Sequence, residues 1–211
     1  MKSHLYPALL FFLCLNISCN GKSTSQPQDE ETIAQESSNI LIVYLSRTNN
    51  TEAVAEMIQD FVGGEMVELQ LKDPYPENYQ EIVDQVDREN KSGYLPPLAT
   101  EIENIDQYDT IFIGFPTWDM QLPPPMESFL HQYDLSGKTV IPFNTNGGYG
   151  IGSSFEDVQQ IANESRILEG FSVEGGSERD GVLLAIKDER AREVWEEVKD
   201  WLQKIGVSEN P

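Results

Sequence analysis

From residue 39 onward, short unbroken apolar runs alternate with amphipathic stretches. Ile40-Leu41-Ile42-Val43-Tyr44-Leu45 is continuous and rich in β-branched residues, the pattern of a strand covered on both faces. Thr110 to Phe115 and Thr139 to Phe143 read the same way, and strands are also predicted over 65–71 and 167–173. Between the first two strands the spacing becomes helical: Val54, Ile58 and Phe61 share a face over 51–62, closed by Gly63-Gly64. Helices are likewise predicted over 79–90, 125–133, 152–163 and 190–205. In the last, Ala191, Val194, Trp195, Val198, Trp201, Leu202 and Ile205 form one stripe, with Asp188 as candidate cap and Gly206 as its end. Two residues sit awkwardly: Pro142 lacks the N–H of a central strand, and Gly170 interrupts the fifth strand. Residues 182–186 fit either a short strand or a surface loop.

Strands alternating with helices predict an α/β fold, a parallel sheet with helices on both faces. In such sheets a ligand sits beyond the carboxyl ends of the strands, where the strand order reverses. The loops after the first, third and fourth strands are therefore where function should reside.

The first 38 residues have a different character. Lys2 precedes the apolar run Leu9 to Leu15, the layout of a secretory signal and too short to span a bilayer. The run ends in Leu15-Asn16-Ile17-Ser18-Cys19, which resembles a bacterial lipobox, with Asn16 a relaxed position. That resemblance implies a signal peptide over 1–18, lipidation of Cys19, and an exported, membrane-anchored lipoprotein. Plain secretion, with Cys19 incidental, is the alternative. Residues 19–38 carry no apolar periodicity and read as a flexible tether to a domain over 39–207.

Charge narrows the partners. The chain has 14 Lys and Arg against 36 Asp and Glu, a net charge of -22. No basic stripe exists to neutralise a phosphate backbone, so nucleic acid is excluded as a partner of that kind. Anionic lipid is equally unsuited to the domain surface, which leaves membrane association to the lipid anchor. Such a surface suits a protein partner with a basic docking face. Both Cys residues, Cys14 and Cys19, lie in the first twenty positions, and the domain's one His is His131. The domain thus has no thiol nucleophile, disulfide or Cys/His metal site, and any redox chemistry requires a cofactor.

Three loops carry the candidate chemistry. Ser46-Arg47-Thr48-Asn49-Asn50-Thr51 opens directly into a helix and suits a phosphate, although such residues also serve as simple caps. Pro116-Thr117-Trp118-Asp119-Met120 offers a flat ring in a loop stiffened by Pro123, Pro124 and Pro125. Thr145-Asn146-Gly147-Gly148-Tyr149-Gly150 lets backbone approach a ligand closely. By contrast, Gly137-Lys138-Thr139 precedes a strand and lacks the first Gly of a P-loop.

Together these segments resemble the flavodoxins, whose loops read roughly S-x-T-G-N-T, P-x-W-W-G-x-x-P-P-P and T-x-G-G-x-G-I-G. The resemblance implies a doubly wound five-stranded parallel sheet that binds FMN through the three loops. It places the Thr48 and Thr51 hydroxyls at the phosphate and Trp118 and Tyr149 beside the ring. The chain departs from the pattern at Asn49, Asp119 and Met120, which replace Gly, Trp and Gly. A positive φ at residue 120 would cost Met about 1–2 kcal/mol. Three functions stay open: an FMN-binding electron carrier, which we favour; an FMN-dependent NAD(P)H or quinone reductase; and a binding module that has lost flavin.

Overall fold

The computed structural model describes residues 39–210. The predicted signal peptide, tether and lipidated Cys19 lie outside the described residues. In chain order the elements are β1 (Ile40–Tyr44), α1 (Asn50–Val62), β2 (Glu65–Glu68), α2 (Tyr79–Ser92), β3 (Thr110–Pro116), α3 (Pro124–Gln132), β4 (Thr139–Asn146), α4 (Ser154–Ile161), β5 (Arg166–Ile167), β6 (Phe171–Glu174) and α5 (Asp188–Lys204).

All strands are parallel, in the order β2-β1-β3-β4, and both β5 and β6 pair with the far edge of β4. The order reverses between β1 and β3, so the carboxyl ends of these two strands flank a crevice. Helices cover both faces of the sheet, as the continuous apolar runs predict. Ile42, Phe112, Ile141 and Phe143 pack under α1 and α5 against Val54, Ile58, Val194, Val198 and Leu202. Leu41, Val43, Ile111 and Ile113 pack on the other face against Met126, Phe129 and Val158 of α3 and α4.

The two awkward residues explain each other. Leu168 N–H donates to the Val140 carbonyl at 3.0 Å and Gly175 N–H to the Asn146 carbonyl at 2.8 Å. Even-numbered residues of β4 therefore present their backbone polar groups to the fifth strand position, and Pro142 is one of them. Its missing N–H falls where the fifth strand breaks into β5 and β6. Gly170 fills the break, because a Cβ there would lie 2.5 Å from the Phe155 ring and 2.9 Å from the Pro142 carbonyl oxygen.

Other boundaries differ from the sequence expectation. The second strand stops at Glu68, and α5 starts at Asp188 with Lys187, not Asp188, at the cap position; the left-handed φ of 50° at Asp188 marks the turn into the helix. Val182 to Ile186 is no strand; it returns from a hairpin closed by Ser177 and Val182 toward the start of α5. The crossover between β2 and β3 is long and carries α2, whose cap is Asn78: its side chain accepts from the N–H groups of Gln80 and Glu81.

Candidate cofactor site

The strand ends open onto a cleft of about 450 Å³. Of the residues predicted from sequence, Arg47, Thr48, Asn50, Thr51, Pro116, Thr117, Trp118, Asp119, Thr145, Asn146, Gly147 and Tyr149 line it. Ser46, Asn49, Met120, Gly148 and Gly150 lie in the same three loops without lining it.

The first loop is more than a cap. Asn49 has φ 62° and its side chain makes no cap hydrogen bond. The N–H groups of Thr48, Asn49, Asn50 and Thr51 donate to no protein acceptor among the described residues, whereas Glu52 N–H reaches Ser46 Oγ at 3.3 Å. Free N–H groups at the start of a helix, next to a left-handed residue, form an anion cradle. Thr51 Oγ1 and Thr145 Oγ1 are 2.8 Å apart and share one hydrogen bond, so one of their two protons is left to donate to a ligand.

Arg47 does something else. Its Nε and Nη2 donate to both Glu178 carboxylate oxygens at 2.7 and 2.8 Å, while Nη1 and Nη2 donate to the carbonyls of Pro76 and Glu77. The guanidinium clamps three segments together, with four of its five N–H donors used within the protein.

In the middle loop Asp119 and Met120 both have positive φ, 49° and 59°, and Trp118 bridges Gln121. Two left-handed central residues match a type I′ hairpin turn. The predicted penalty at Met120 is therefore incurred, and tertiary contacts hold the turn. Ser153 N–H donates to the Met120 carbonyl at 2.9 Å. Gly152 gives this carbonyl room, since a Cβ there would lie 1.8 Å from its oxygen. Trp118 stands edge-on to Tyr75 at 5.4 Å. Beneath that pair the Tyr75 hydroxyl donates to the buried carboxylate of Glu89, and burial followed by that bond pushes the Tyr75 phenol well up.

Asn146 organises the third loop. Its Oδ1 accepts from Gly148 N–H at 2.9 Å and Gly150 N–H at 3.1 Å. The Gly150 carbonyl in turn accepts from Thr117 Oγ1 at 2.9 Å, which joins the third loop to the middle one. Tyr149 is 59% exposed, and Arg179 lies over its ring.

Sequence reasoning missed two walls of the cleft. One is α2, through Tyr79, Ile82, Val83, Asp84, Val86 and Asp87. Their helical spacing was visible, but an amphipathic stripe does not say what it faces. The other is Gly176 to Arg179, in the 174–186 stretch that leads to α5, whose role the sequence alone leaves open. Asn50 ties that stretch down: its Nδ2 donates to the Leu183 carbonyl at 2.6 Å, and its Oδ1 accepts from the N–H groups of Ala185 and Ile186 at 2.9 and 3.1 Å.

Comparison with known proteins agrees with this geometry. A flavodoxin from Picosynechococcus is 28% identical over 188 residues, covering 80% of this chain and 96% of that protein. A flavodoxin from Synechocystis is 28% identical over 127 residues, and there the chain spans only 61% of the relative's length. A solved structure from Bacteroides uniformis, assigned as a flavoprotein, is 27% identical with a TM-score of 0.64, covering 79% of this chain and 98% of that one. A flavoprotein from Lactobacillus acidophilus, solved in complex with FMN, shares the fold at 21% identity and a TM-score of 0.58, covering 69% of this chain and 98% of that one. The sequence profile described as Flavodoxin matches residues 39–187, and the chain belongs to the flavodoxin family.

Proposed function

We propose that the domain binds FMN in the cleft and transfers electrons, tethered outside the cytoplasm through a lipid on Cys19. The observation that carries the reading is the convergence of loops 46–51, 116–120 and 145–150 on one cleft at the strand-order reversal of a flavodoxin-family chain. The residues suit the group. Unpartnered N–H groups of Thr48 to Thr51 and the spare Thr51/Thr145 proton would hold the phosphate, without a free cation. Trp118, held edge-on by Tyr75, and Tyr149 would flank the ring. FMN bound there supplies one- and two-electron chemistry; the protein orients it, limits its contact with water and sets the field around it. The acidic surface would steer a basic redox partner.

Titration of the apoprotein with FMN, read by quenching of flavin fluorescence, tests the site. We expect one-to-one binding, weakened by Trp118→Ala through lost contact with the ring and about tenfold by Thr51→Ala, since a lost hydrogen bond of this kind is worth about 1–3 kcal/mol. Unchanged affinity in both variants would refute the placement. Membrane fractionation of Cys19→Ala tests the anchor: release into the soluble fraction is expected, and retention with unaltered processing refutes it.

The α2 wall favours a second reading, an FMN-dependent reductase of quinones or other small oxidants. Tyr79 and Val83 are apolar yet 38% and 40% exposed at the cleft. Four carboxylates against two guanidiniums along the lining make a pyridine dinucleotide the poorer electron donor. Steady-state quinone reduction, with NAD(P)H and a reduced viologen offered as alternative electron donors, separates the readings.

A further inference from the structure

We propose that Arg179 raises the reduction potential of the cleft by offering its charge to the reduced form of the ring held there, acting alongside Tyr149. The inference rests on the FMN reading above.

Arg179 and Tyr149 both line the cleft. The guanidinium carbon lies 5.2 Å from the centroid of the Tyr149 ring, and Nη2 donates to the Tyr149 hydroxyl. The only other cation of the lining, Arg47, is neutralised by its two-oxygen pairing with Glu178. Arg179 is less compensated. Its carboxylate neighbour, Asp180, stands at 3.4 and 3.5 Å and accepts a closer bond, 2.6 Å, from Ser177 Oγ. The hairpin that carries Arg179 is fixed by the Ser177–Val182 bridge and by Asn50. At its base Gly176 is indispensable, because a Cβ there would lie 1.9 Å from the Leu183 carbonyl oxygen.

The chemistry of the charge follows from the electron count. Oxidised flavin has a neutral ring. Uptake of two electrons and one proton, the electrons coming from a low-potential donor protein, leaves the ring with one negative charge. A chain of net charge -22 opposes that product. A guanidinium at the cleft favours it and is nearly indifferent to the oxidised ring. Only such differential binding moves an equilibrium. The Arg179 side chain is 56% exposed, so solvent screens the effect. We expect a preference for reduced over oxidised FMN of about three- to tenfold from this residue. For a two-electron couple a tenfold change is about 30 mV.

The test is a spectroelectrochemical titration of the FMN-loaded full chain with dithionite and a reference dye. It compares wild type, Arg179→Gln, Arg179→Lys and Tyr149→Phe. Arg179→Gln should lower the two-electron midpoint by about 15–30 mV while the dissociation constant of oxidised FMN changes less than twofold. Arg179→Lys should recover most of the potential. Tyr149→Phe keeps the cation and loses only the phenol bond, so its midpoint should stay closer to wild type. An unchanged midpoint in Arg179→Gln overturns the proposal. So does equal weakening of oxidised and reduced FMN, which would make Arg179 a scaffold for Tyr149 or a phosphate ligand. Wild-type protein that binds no FMN overturns the cofactor reading and this inference together; normal FMN affinity with an unmoved potential removes Arg179 alone.

Discussion

Asn50 is where the 46–51 loop and the 174–186 stretch depend on one side chain, and Asn50→Ala should expose that dependence. Asn50 is 3% exposed. Its amide serves the Leu183 carbonyl, the Ala185 and Ile186 N–H groups and Thr48 Oγ1, the last at 2.9 Å. Alanine removes these four partnerships and the longer 3.3 Å bond to the Thr48 carbonyl, and offers none in return. Ile186 is 2% exposed, so its N–H cannot turn to water and bears the full penalty of an unpaired buried donor, about 1–3 kcal/mol. Ala185 and Leu183 are more open and should recover part of theirs through hydration. The total loss should be about 2–4 kcal/mol, and a domain of this size loses about 2–4 °C of Tm per kcal/mol. Urea denaturation followed by far-ultraviolet circular dichroism measures the stability, and hydrogen exchange at residues 183–186 locates it. Asn50→Asp retains an acceptor for the two N–H groups but sets a carboxylate against the Leu183 carbonyl, so it should not restore wild-type stability. A loss below about 1 kcal/mol in Asn50→Ala, or unchanged exchange at Ala185 and Ile186, would refute this account.

Three further outcomes are expected. Gly114→Ala would put a Cβ 2.0 Å from Cζ of Phe143, which is fully buried, so it should destabilise the domain by at least about 1–3 kcal/mol and shift the Phe143 ring resonances. Gly152→Ala should disrupt the 118–121 turn and weaken FMN binding more than Met120→Gly does; equal effects of the two on FMN affinity would contradict the turn's dependence on residue 152. Burial, and then the nearby Asp157, raise the Glu127 carboxyl above its usual range. The folded state therefore holds that proton more tightly than the unfolded chain, and ionisation is unfavourable to folding above the unfolded value. Glu127→Gln should raise Tm at neutral pH, and the gain should fade as pH falls through the raised folded-state value and be gone by about pH 4.3, the unfolded-chain value. A gain independent of pH would point to another cause.

Strands covered on both faces appear in sequence as continuous apolar runs, so β1, β3 and β4 and the loops at their ends were legible without coordinates. Features that depend on what lies opposite were not. Pro142 and Gly170 each look like a defect alone; they form one feature because the missing N–H of the first faces the break filled by the second. Tyr79 and Val83 belong to a helical stripe in sequence, yet the stripe is wide enough to serve both core and cleft, and only the crossover's path assigns the outer part to the cleft. Asn50 reads as a residue of a helix start, whereas three of its bonding partners lie more than 130 positions away.

The departures from the flavodoxin loop pattern carry the deeper lesson. Asn49, Asp119 and Met120 occupy left-handed backbone, with φ of 62°, 49° and 59°. Asn and Asp tolerate this region through their short polar side chains, but Met has no such local reason. At Met120 the conformation is enforced from outside, by the Ser153 N–H on its carbonyl and by the space that Gly152 leaves. The conformational requirement has moved from the turn to the residue that packs on it. A loop that holds its own shape through Gly at the turn is free to change that shape when a ligand demands it. This loop keeps its shape only while the 152–153 segment stays against it, so a change at Met120 requires breaking a 2.9 Å hydrogen bond to the start of α4. The middle loop is thus stiffer than its sequence suggests, and its response to a bound ring is coupled to α4, not set by residue 120 alone.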